Sequence, residues 1–179
     1  MILIGDCREQ LATLPEKSVH CCVTSPPYWG LRDYGVDGQL GLEPTPEEYV
    51  ANMVDVFRAV WRVLRDDGVL WLNLGDSYCS GGREGHGTRV GYKQQTNRGM
   101  CGENDPVRAP QPPGLKPKDL VGIPWRVAFA LQVDGWYLRS DVIWAKPNPM
   151  PESVTDRPTK AHEYLFLLAK SARYYYDAE

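Results

Sequence analysis

The sequence predicts an α/β domain whose sheet is mostly parallel. Short runs of β-branched and apolar residues alternate with segments whose apolar residues recur at helical spacing, an order typical of βαβ units. The predicted strands late in the chain follow one another closely, which favours an antiparallel edge on the same sheet. With 179 residues, 42% of them apolar and 11% aromatic, the chain can build one compact core.

Three strands and two helices are predicted in the first half of the chain. The apolar residues 1–4 favour a short strand that stops at a turn, and residues 8–14 favour a short helix. The β-branched run 19–24 (VHCCVT) predicts a second strand, which ends abruptly at two prolines. Residues 69–74 (VLWLNL) predict a third strand, which follows a longer helix.

That longer helix has a strong start signal. Thr45 is a good cap, Pro46 suits the first helical position, and Glu48 follows three residues after the cap. Behind this start, six apolar residues between 50 and 64 fall on one helical face. The sequence DDG at 66–68 predicts the end of the helix.

Another helix and the last strands are predicted after residue 117. Residues 118–133 favour a helix that tolerates Pro124 only near its start, and Gly135 predicts its end. Three strands are predicted beyond it, at 136–144, 164–168 and 174–176.

Composition excludes several classes of protein. No apolar run reaches the roughly 18 residues of a membrane span, and the opening MILIGDCREQ has no signal-peptide pattern. The chain has five cysteines, and Cys21 and Cys22 are adjacent in a predicted strand, which indicates reduced, packed thiols. We therefore expect a cytoplasmic protein. Zinc-ligand spacing is missing around Cys79, His86 and Cys101, so no metal site is predicted.

The net charge of −3 hides a basic segment. Residues 80–118 contain seven lysines and arginines but three acidic residues, whereas the rest of the chain is acidic. The segment is also rich in glycine and proline, so a long helix or regular strand is not expected there. One interpretation is a solvated, flexible insertion. The other is a basic flap that follows a phosphate backbone and gains affinity by releasing counterions.

The segment TSPPYW at 24–29 follows the second predicted strand directly, where ligands bind in open α/β sheets. The two prolines make the loop stiff and extended, so the Ser25 hydroxyl and the Pro26 carbonyl stand side by side as acceptors. An exocyclic amine of a nucleobase needs such acceptors to become nucleophilic. Tyr28 offers a ring on which an everted base can stack. The alternative is a rigid turn with Tyr28 and Trp29 packed in the core.

This segment resembles the catalytic motif of amino-directed DNA methyltransferases, which methylate cytosine N4 or adenine N6 with S-adenosylmethionine. The resemblance extends along the chain, because further segments are similar to successive blocks of that family in the family's order. The segments are IGDCREQLATLPEKSVHCCVTSPPYWGLRDYG, VLRDDGVLWLNLGDSY, LKPKDLVGIPWRVAFAL, WYLRSDVIWAKPNPMPES and RPTKAHEYLFLLAKS. They are similar to members that place the catalytic half first, often encoded by bacteria and phages. The resemblance implies an incomplete class I methyltransferase-like (Rossmann-like) fold.

The resemblance also implies roles for individual residues. Ser25, Pro26 and Tyr28 are implied to form the target-amine site, with Pro27 fixing their geometry. Asp6 is implied to contact the adenine of the cofactor, although it also fits a turn residue that caps the first helix. The remaining implied substrate-binding residues are Trp29, Asn73, Asp76, Ser77, Lys146 and Asn148. Strand-ending turns and a stiff spacer around the prolines at 147, 149 and 151 are the structural alternatives for most of these.

The expected function is transfer of a methyl group from S-adenosylmethionine to DNA. Serine at position 25 favours cytosine N4 over adenine N6, because family members with aspartate there mostly target adenine. Family members of this type carry a glycine-rich cofactor loop after the catalytic half, and no such loop is present here. We therefore expect residues 1–179 to be the catalytic part of the domain, with a second chain or a missing C-terminal half. The alternative is a catalytically inert nucleic-acid-binding fragment; methylation of RNA or protein is also compatible with the motif.

Overall fold

A computed structural model describes residues 2–79 and 114–178 of the chain. These residues form three helices and four strands: α1 (Cys7–Thr13), β1 (Val19–Thr24), α2 (Pro46–Val63), β2 (Leu64–Leu74), α3 (Ile123–Val133), β3 (Tyr137–Ala145) and β4 (His162–Ala169). The strands lie in one sheet in the order β1-β2-β4-β3. β1 and β2 are parallel, and β4 runs antiparallel to both β2 and β3, so three of the four strands point the same way. The predicted α/β class is confirmed.

Local sequence explains where several elements begin and end. The Thr45 side chain accepts a hydrogen bond from the Glu48 amide at 3.2 Å, and Pro46 occupies the first turn of α2, as predicted. The strand predicted at 19–24 is observed with the same bounds. Gly135 has a φ of 112°, a conformation that side chains rarely adopt, and it ends α3 at the predicted place.

Four predicted elements differ from the structure. Residues 2–4, the described part of the strand predicted at 1–4, form no strand, because no described strand pairs with them; Ile2 and Ile4 are exposed. Residues 64–68 belong to β2 rather than to the end of α2, since Leu64 pairs with Val19 of β1. The helix predicted from 118 begins only at Ile123, because Lys118 and Gly122 both have positive φ values and break any earlier turn. Residues 174–176 form no strand.

The described core lies between one face of the sheet and helices α2 and α3. Alternate residues of the two central strands are fully buried against these helices: Leu70, Leu72, Leu74, Phe166 and Leu168. The opposite face of β1 is open within the described part of the chain, and Val23 is 75% exposed there. Among the described elements, the helices that pack on the sheet lie on one face of it.

The topology brings four chain segments to one edge of the sheet. β1 and β2 end there, β4 begins there because it runs the other way, and β3 also ends there. The predicted TSPPYW loop therefore shares this edge with residues from far along the sequence. Within the residues that the structure describes, no helix is both long and apolar enough to cross a membrane.

Candidate active site

The loop after β1 and the end of β2 are joined by hydrogen bonds between side chains. The Tyr28 hydroxyl donates to Oδ1 of Asn73 at 2.8 Å, and the Ser25 hydroxyl lies 3.2 Å from the Tyr28 oxygen and 3.3 Å from Asn73 Oδ1. Asn73 is only 8% exposed, and its amide nitrogen donates to the Tyr164 carbonyl of β4 at 3.1 Å. This donation fixes which way the carboxamide faces, so its oxygen points at Ser25 and Tyr28.

The cluster contains a carboxylate that sequence reasoning missed. Glu163, the second residue of β4, accepts a hydrogen bond from the Tyr28 hydroxyl at 3.0 Å and pairs with the Lys146 ammonium group. Burial alone raises the pKa of Glu163, but the hydrogen bonds from Lys146 and Tyr28 outweigh it, and the net pKa lies below the ordinary value. Glu163 is therefore ionised at neutral pH. The signal that would have found it is strand direction, since an antiparallel strand brings its first residues to the end of its neighbour.

Tyr28 is held between this polar cluster and the backbone of β2. Its ring lies against Gly75, where a Cβ atom would come within 2.5 Å of Tyr28 Cε2. Burial raises the pKa of the Tyr28 hydroxyl above its ordinary value; donation from Ser25 opposes this, and the Glu163 charge adds to it. The hydroxyl consequently stays protonated and remains a hydrogen-bond donor at neutral pH.

The proline carbonyls of the loop have different surroundings. The Pro27 carbonyl accepts a hydrogen bond from the buried Tyr49 hydroxyl of α2 at 2.8 Å, which anchors the loop on the core. No described residue donates a hydrogen bond to the Pro26 carbonyl. The Ser25 side chain is exposed and Pro26 is half-buried, so both predicted acceptors can meet a ligand from outside.

Two predicted substrate-binding residues, Trp29 and Asp76, make structural contacts, and the hydroxyl of a third, Ser77, is buried. Trp29 is 6% exposed, lies in the core, and donates from Nε1 to the Glu43 carbonyl at 2.9 Å. The Asp76 carboxylate accepts from the backbone amides of Ser77, Gly122 and Ile123 at 2.9, 2.9 and 3.0 Å, and so caps α3 from a distance. The Ser77 hydroxyl is buried without a partner in the described ranges.

The other predicted residues lie outside the Tyr28 cluster, except Lys146. Asp6 caps α1 and binds Arg8 through both carboxylate oxygens, which lowers the pKa of Asp6 to about 2. Asn148 is exposed. The basic segment predicted at 80–118, including Cys101 and His86, falls outside the described residues up to position 113.

A cavity of about 240 Å³ opens beside His162 and Tyr164, the neighbours of Glu163 along β4. It is lined by Asp76, Tyr78, Lys160, His162 and Tyr164 together with Leu120 and residues 157–159. Arg157 lies over the Tyr78 ring at 3.8 Å, and burial lowers the pKa of Lys160. Aromatic rings and cations thus line the opening next to Tyr164, whose carbonyl holds Asn73.

Comparison with known proteins places the chain in a family. The family model N6_N4_Mtase, described as DNA methylase, matches residues 19–179. The chain is 57% identical over 178 residues to the Type II methyltransferase M.SmaI of Serratia marcescens, covering 99% of this chain and 58% of that protein. It is 58% identical over 175 residues to the Type II methyltransferase M.Cfr9I of Citrobacter freundii, covering 98% and 56%. The chain therefore spans a little over half the length of these curated relatives.

Solved structures with the same fold include two DNA methylases. A putative DNA modification methylase of Thermus thermophilus, complexed with S-adenosyl-L-methionine, matches with a TM-score of 0.61 and 22% identity. The match covers 98% of this chain and 55% of that one. The cytosine-N4-specific PvuII DNA methyltransferase matches with a TM-score of 0.61 and 19% identity, covering 96% and 49%. At these identities the comparison shows a shared fold. The described part of that fold is an incomplete Rossmann-like α/β domain.

Proposed function

The chain belongs to the DNA methylase family, and on this premise we propose that it is the catalytic part of a DNA methyltransferase. The proposed reaction moves a methyl group from S-adenosylmethionine to an exocyclic amine of DNA, cytosine N4 in preference to adenine N6. The observation that carries the proposal is the cluster of Ser25, Tyr28, Asn73 and Glu163 at the edge of the sheet, next to the Pro26 carbonyl, to which no described residue donates.

The proposed roles follow from the positions of acceptors and donors. An aromatic amine is a weak nucleophile, because its lone pair is delocalised into the ring. In our proposal the Ser25 oxygen and the Pro26 carbonyl each accept one N–H of that amine, which frees the lone pair for attack. The Tyr28 ring stacks against the base, and Asn73 and Glu163 hold its hydroxyl so that the ring keeps its orientation.

Charge at the site also suits a neutral amine that becomes positively charged. The ionised Glu163 lies one hydrogen bond away from Tyr28, and Lys146 balances it while no substrate is bound. Asn148 and the cations Arg157 and Lys160 near the cavity are proposed to meet the DNA around the everted base. Serine at position 25 supports cytosine N4 only through the resemblance to the family.

S-adenosylmethionine supplies an electrophilic methyl group when it is bound. The described residues provide part of a binding site for this cofactor. The Asp6 carboxylate is exposed and ionised, so it can accept hydrogen bonds from hydroxyl or amino groups of the cofactor. Such a ligand would compete with Arg8, which now occupies both oxygens of Asp6. We propose that a further segment or a second polypeptide completes this cofactor site.

The test is a product analysis on unmethylated genomic DNA. The chain, supplied with the segment or polypeptide that completes its cofactor site, and its Ser25→Ala variant in the same form are incubated with DNA and isotope-labelled S-adenosylmethionine, and the nucleosides are separated by mass spectrometry. We expect label in N4-methylcytosine with the unaltered chain and a loss of at least about 100-fold with Ser25→Ala, the scale of general acid–base and positioning effects. Label in N6-methyladenine would overturn the preference for cytosine. DNA binding without saturable cofactor binding or product would favour the inert nucleic-acid-binding alternative.

A further inference from the structure

We propose that Glu163 is a positioning residue that receives, through the Tyr28 hydroxyl, the proton that the target amine releases. The inference rests on the proposed function and names the group that accepts the proton released by the target amine. In this inference the Tyr28 hydroxyl passes on the proton, in addition to the stacking that its ring provides.

The geometry that carries the inference is a directed pair of hydrogen bonds. The Ser25 hydroxyl donates to the Tyr28 oxygen at 3.2 Å, and the Tyr28 hydroxyl donates to Glu163 Oε2 at 3.0 Å. When these two bonds are formed, both protons point from the exposed Ser25 toward the ionised carboxylate. Each hydroxyl has one proton, so the bonds to Asn73 Oδ1 at 2.8 and 3.3 Å share or alternate with these two.

The chemistry of the amine requires an acceptor. When the amine nitrogen forms its bond to the methyl carbon, the carbon–sulfur bond of the sulfonium breaks and its electron pair stays on the sulfur. The nitrogen then carries a positive charge and is a far stronger acid than a carboxylic acid. One of its protons passes to the Ser25 oxygen as the Ser25 proton moves to Tyr28 and the Tyr28 proton moves to Glu163. Atoms and charge balance, because the positive charge on nitrogen ends as a neutralised carboxylate.

The charged groups around Glu163 suit this role. Lys146, which follows β3, is the ion-pair partner of Glu163. Lys160, in the segment before β4, attracts the Glu163 carboxylate at longer range. Hydrogen bonds from Lys146 and Tyr28 hold the pKa of Glu163 below its ordinary value, so the carboxylate is ionised before each turnover and can accept a proton. Tyr28 stays protonated because burial raises the pKa of its hydroxyl. A protonated relay that ends at an ionised acceptor is the arrangement that proton transfer needs.

The Glu163→Gln variant tests the inference, and Asp134→Asn is its matched control. The side chains of Glu163 and Asp134 are both 18% exposed and each pairs with one cation, but Asp134 follows α3 before the start of β3, at the opposite edge of the sheet. At saturating DNA we expect Glu163→Gln to lower kcat at least about 100-fold, the low end of proton-transfer effects, with KM for DNA changed little. Asp134→Asn is expected to leave kcat within about twofold, as for a residue outside the reaction path.

Two further readouts separate proton transfer from a packing role. The turnover of the unaltered chain is expected to fall at acid pH as Glu163 is protonated. This acid limb of the pH profile is expected to be absent from Glu163→Gln. With ¹³Cζ-labelled tyrosine, NMR titration of Tyr28, assigned through Tyr28→Phe, is expected to give a lower pKa in Glu163→Gln. Tyr28→Phe combined with Glu163→Gln is expected to cost no more turnover than either change alone, since both interrupt one path.

The outcomes distinguish the inference from the function on which it rests. Normal kcat in Glu163→Gln, a retained acid limb, or additive effects in the double variant would overturn the inference and leave methyl transfer intact. Absence of methyl transfer by the unaltered chain with its cofactor site completed would overturn both. An unchanged Tyr28 titration in Glu163→Gln would overturn the hydrogen bond itself, without any need for turnover.

Discussion

The carboxamide oxygen of Asn73 lies 2.8 Å from the hydroxyl oxygen of Tyr28, which links the end of β2 to the loop after β1. Asn73→Ala removes this acceptor and also the donor to the Tyr164 carbonyl, in a place that is almost fully buried. We expect unfolding in urea to show a loss of about 1–3 kcal/mol, the cost of unpaired buried polar groups. Turnover is expected to fall as well. Unchanged stability would mean that Asn73 does not join β2 to the loop after β1 and to β4 through these hydrogen bonds.

Gly75 sets the position of the Tyr28 ring. A Cβ atom at position 75 would lie 2.5 and 2.7 Å from two ring carbons of Tyr28, so Gly75→Ala must displace the ring. We expect a stability loss of about 1–3 kcal/mol, typical of overpacking, together with a fall in turnover. In a Tyr28→Ala background the same change is expected to cost little stability, because the clash is gone. Equal costs in both backgrounds would contradict the contact.

Asp76 is predicted to act on stability, through the cap of α3. Its carboxylate accepts from the amides of Gly122 and Ile123, since Gly122 has no side chain to cap the helix itself. Asp76→Ala is expected to cost about 1–2 kcal/mol in thermal or urea unfolding, in the range of lost caps. Asp76→Asn keeps a neutral acceptor oxygen and is expected to cost less. If both variants fold normally but bind DNA poorly, the residue serves the substrate instead.

Cys22 is predicted to be chemically inert. Burial raises the pKa of its thiol to about 11. At pH 8 about one thiol in a thousand is then ionised, and the thiolate is the reactive form. We expect alkylation at pH 8 to leave Cys22 unmodified in the folded chain, with rapid reaction in urea. We also expect Cys22→Ser, and replacement of the other four cysteines, to preserve turnover, because methyl transfer to an amine needs no covalent adduct. A folded variant that loses turnover would contradict this mechanism.

The stability of the fold is predicted to depend on pH through Glu163. Its pKa in the folded chain is lowered from the ordinary 4.5, so the unfolded chain binds the proton more tightly. The resulting stabilisation is present above pH 4.5 and is lost as the pH falls through the folded-state value. We expect the free energy of unfolding of the unaltered chain to drop more steeply below pH 4.5 than that of Glu163→Gln. Parallel pH curves for the two proteins would show that the carboxylate is not stabilised by Lys146 and Tyr28.

Local chemistry determined much of this protein from its sequence. The β-branched run at 19–24, the Thr45–Pro46 helix start and the stop at Gly135 act over a few residues, and the structure agrees with each. The stiff loop after β1 is local as well, because each proline restricts the residue before it. The α/β class and the family followed from the order of such elements and motifs, and both are confirmed.

Tertiary structure alone decided which side chains meet. Glu163 lies 135 residues from Tyr28 in the sequence, and only the antiparallel direction of β4 brings the two together. Trp29 and Asp76 follow strands just as Ser25 does, yet packing turns Trp29 into the core and Asp76 toward the amides of α3. A strand's neighbours and direction depend on contacts across the whole sheet. The composition of the site therefore comes from the fold, whereas the shape of its loop comes from the sequence.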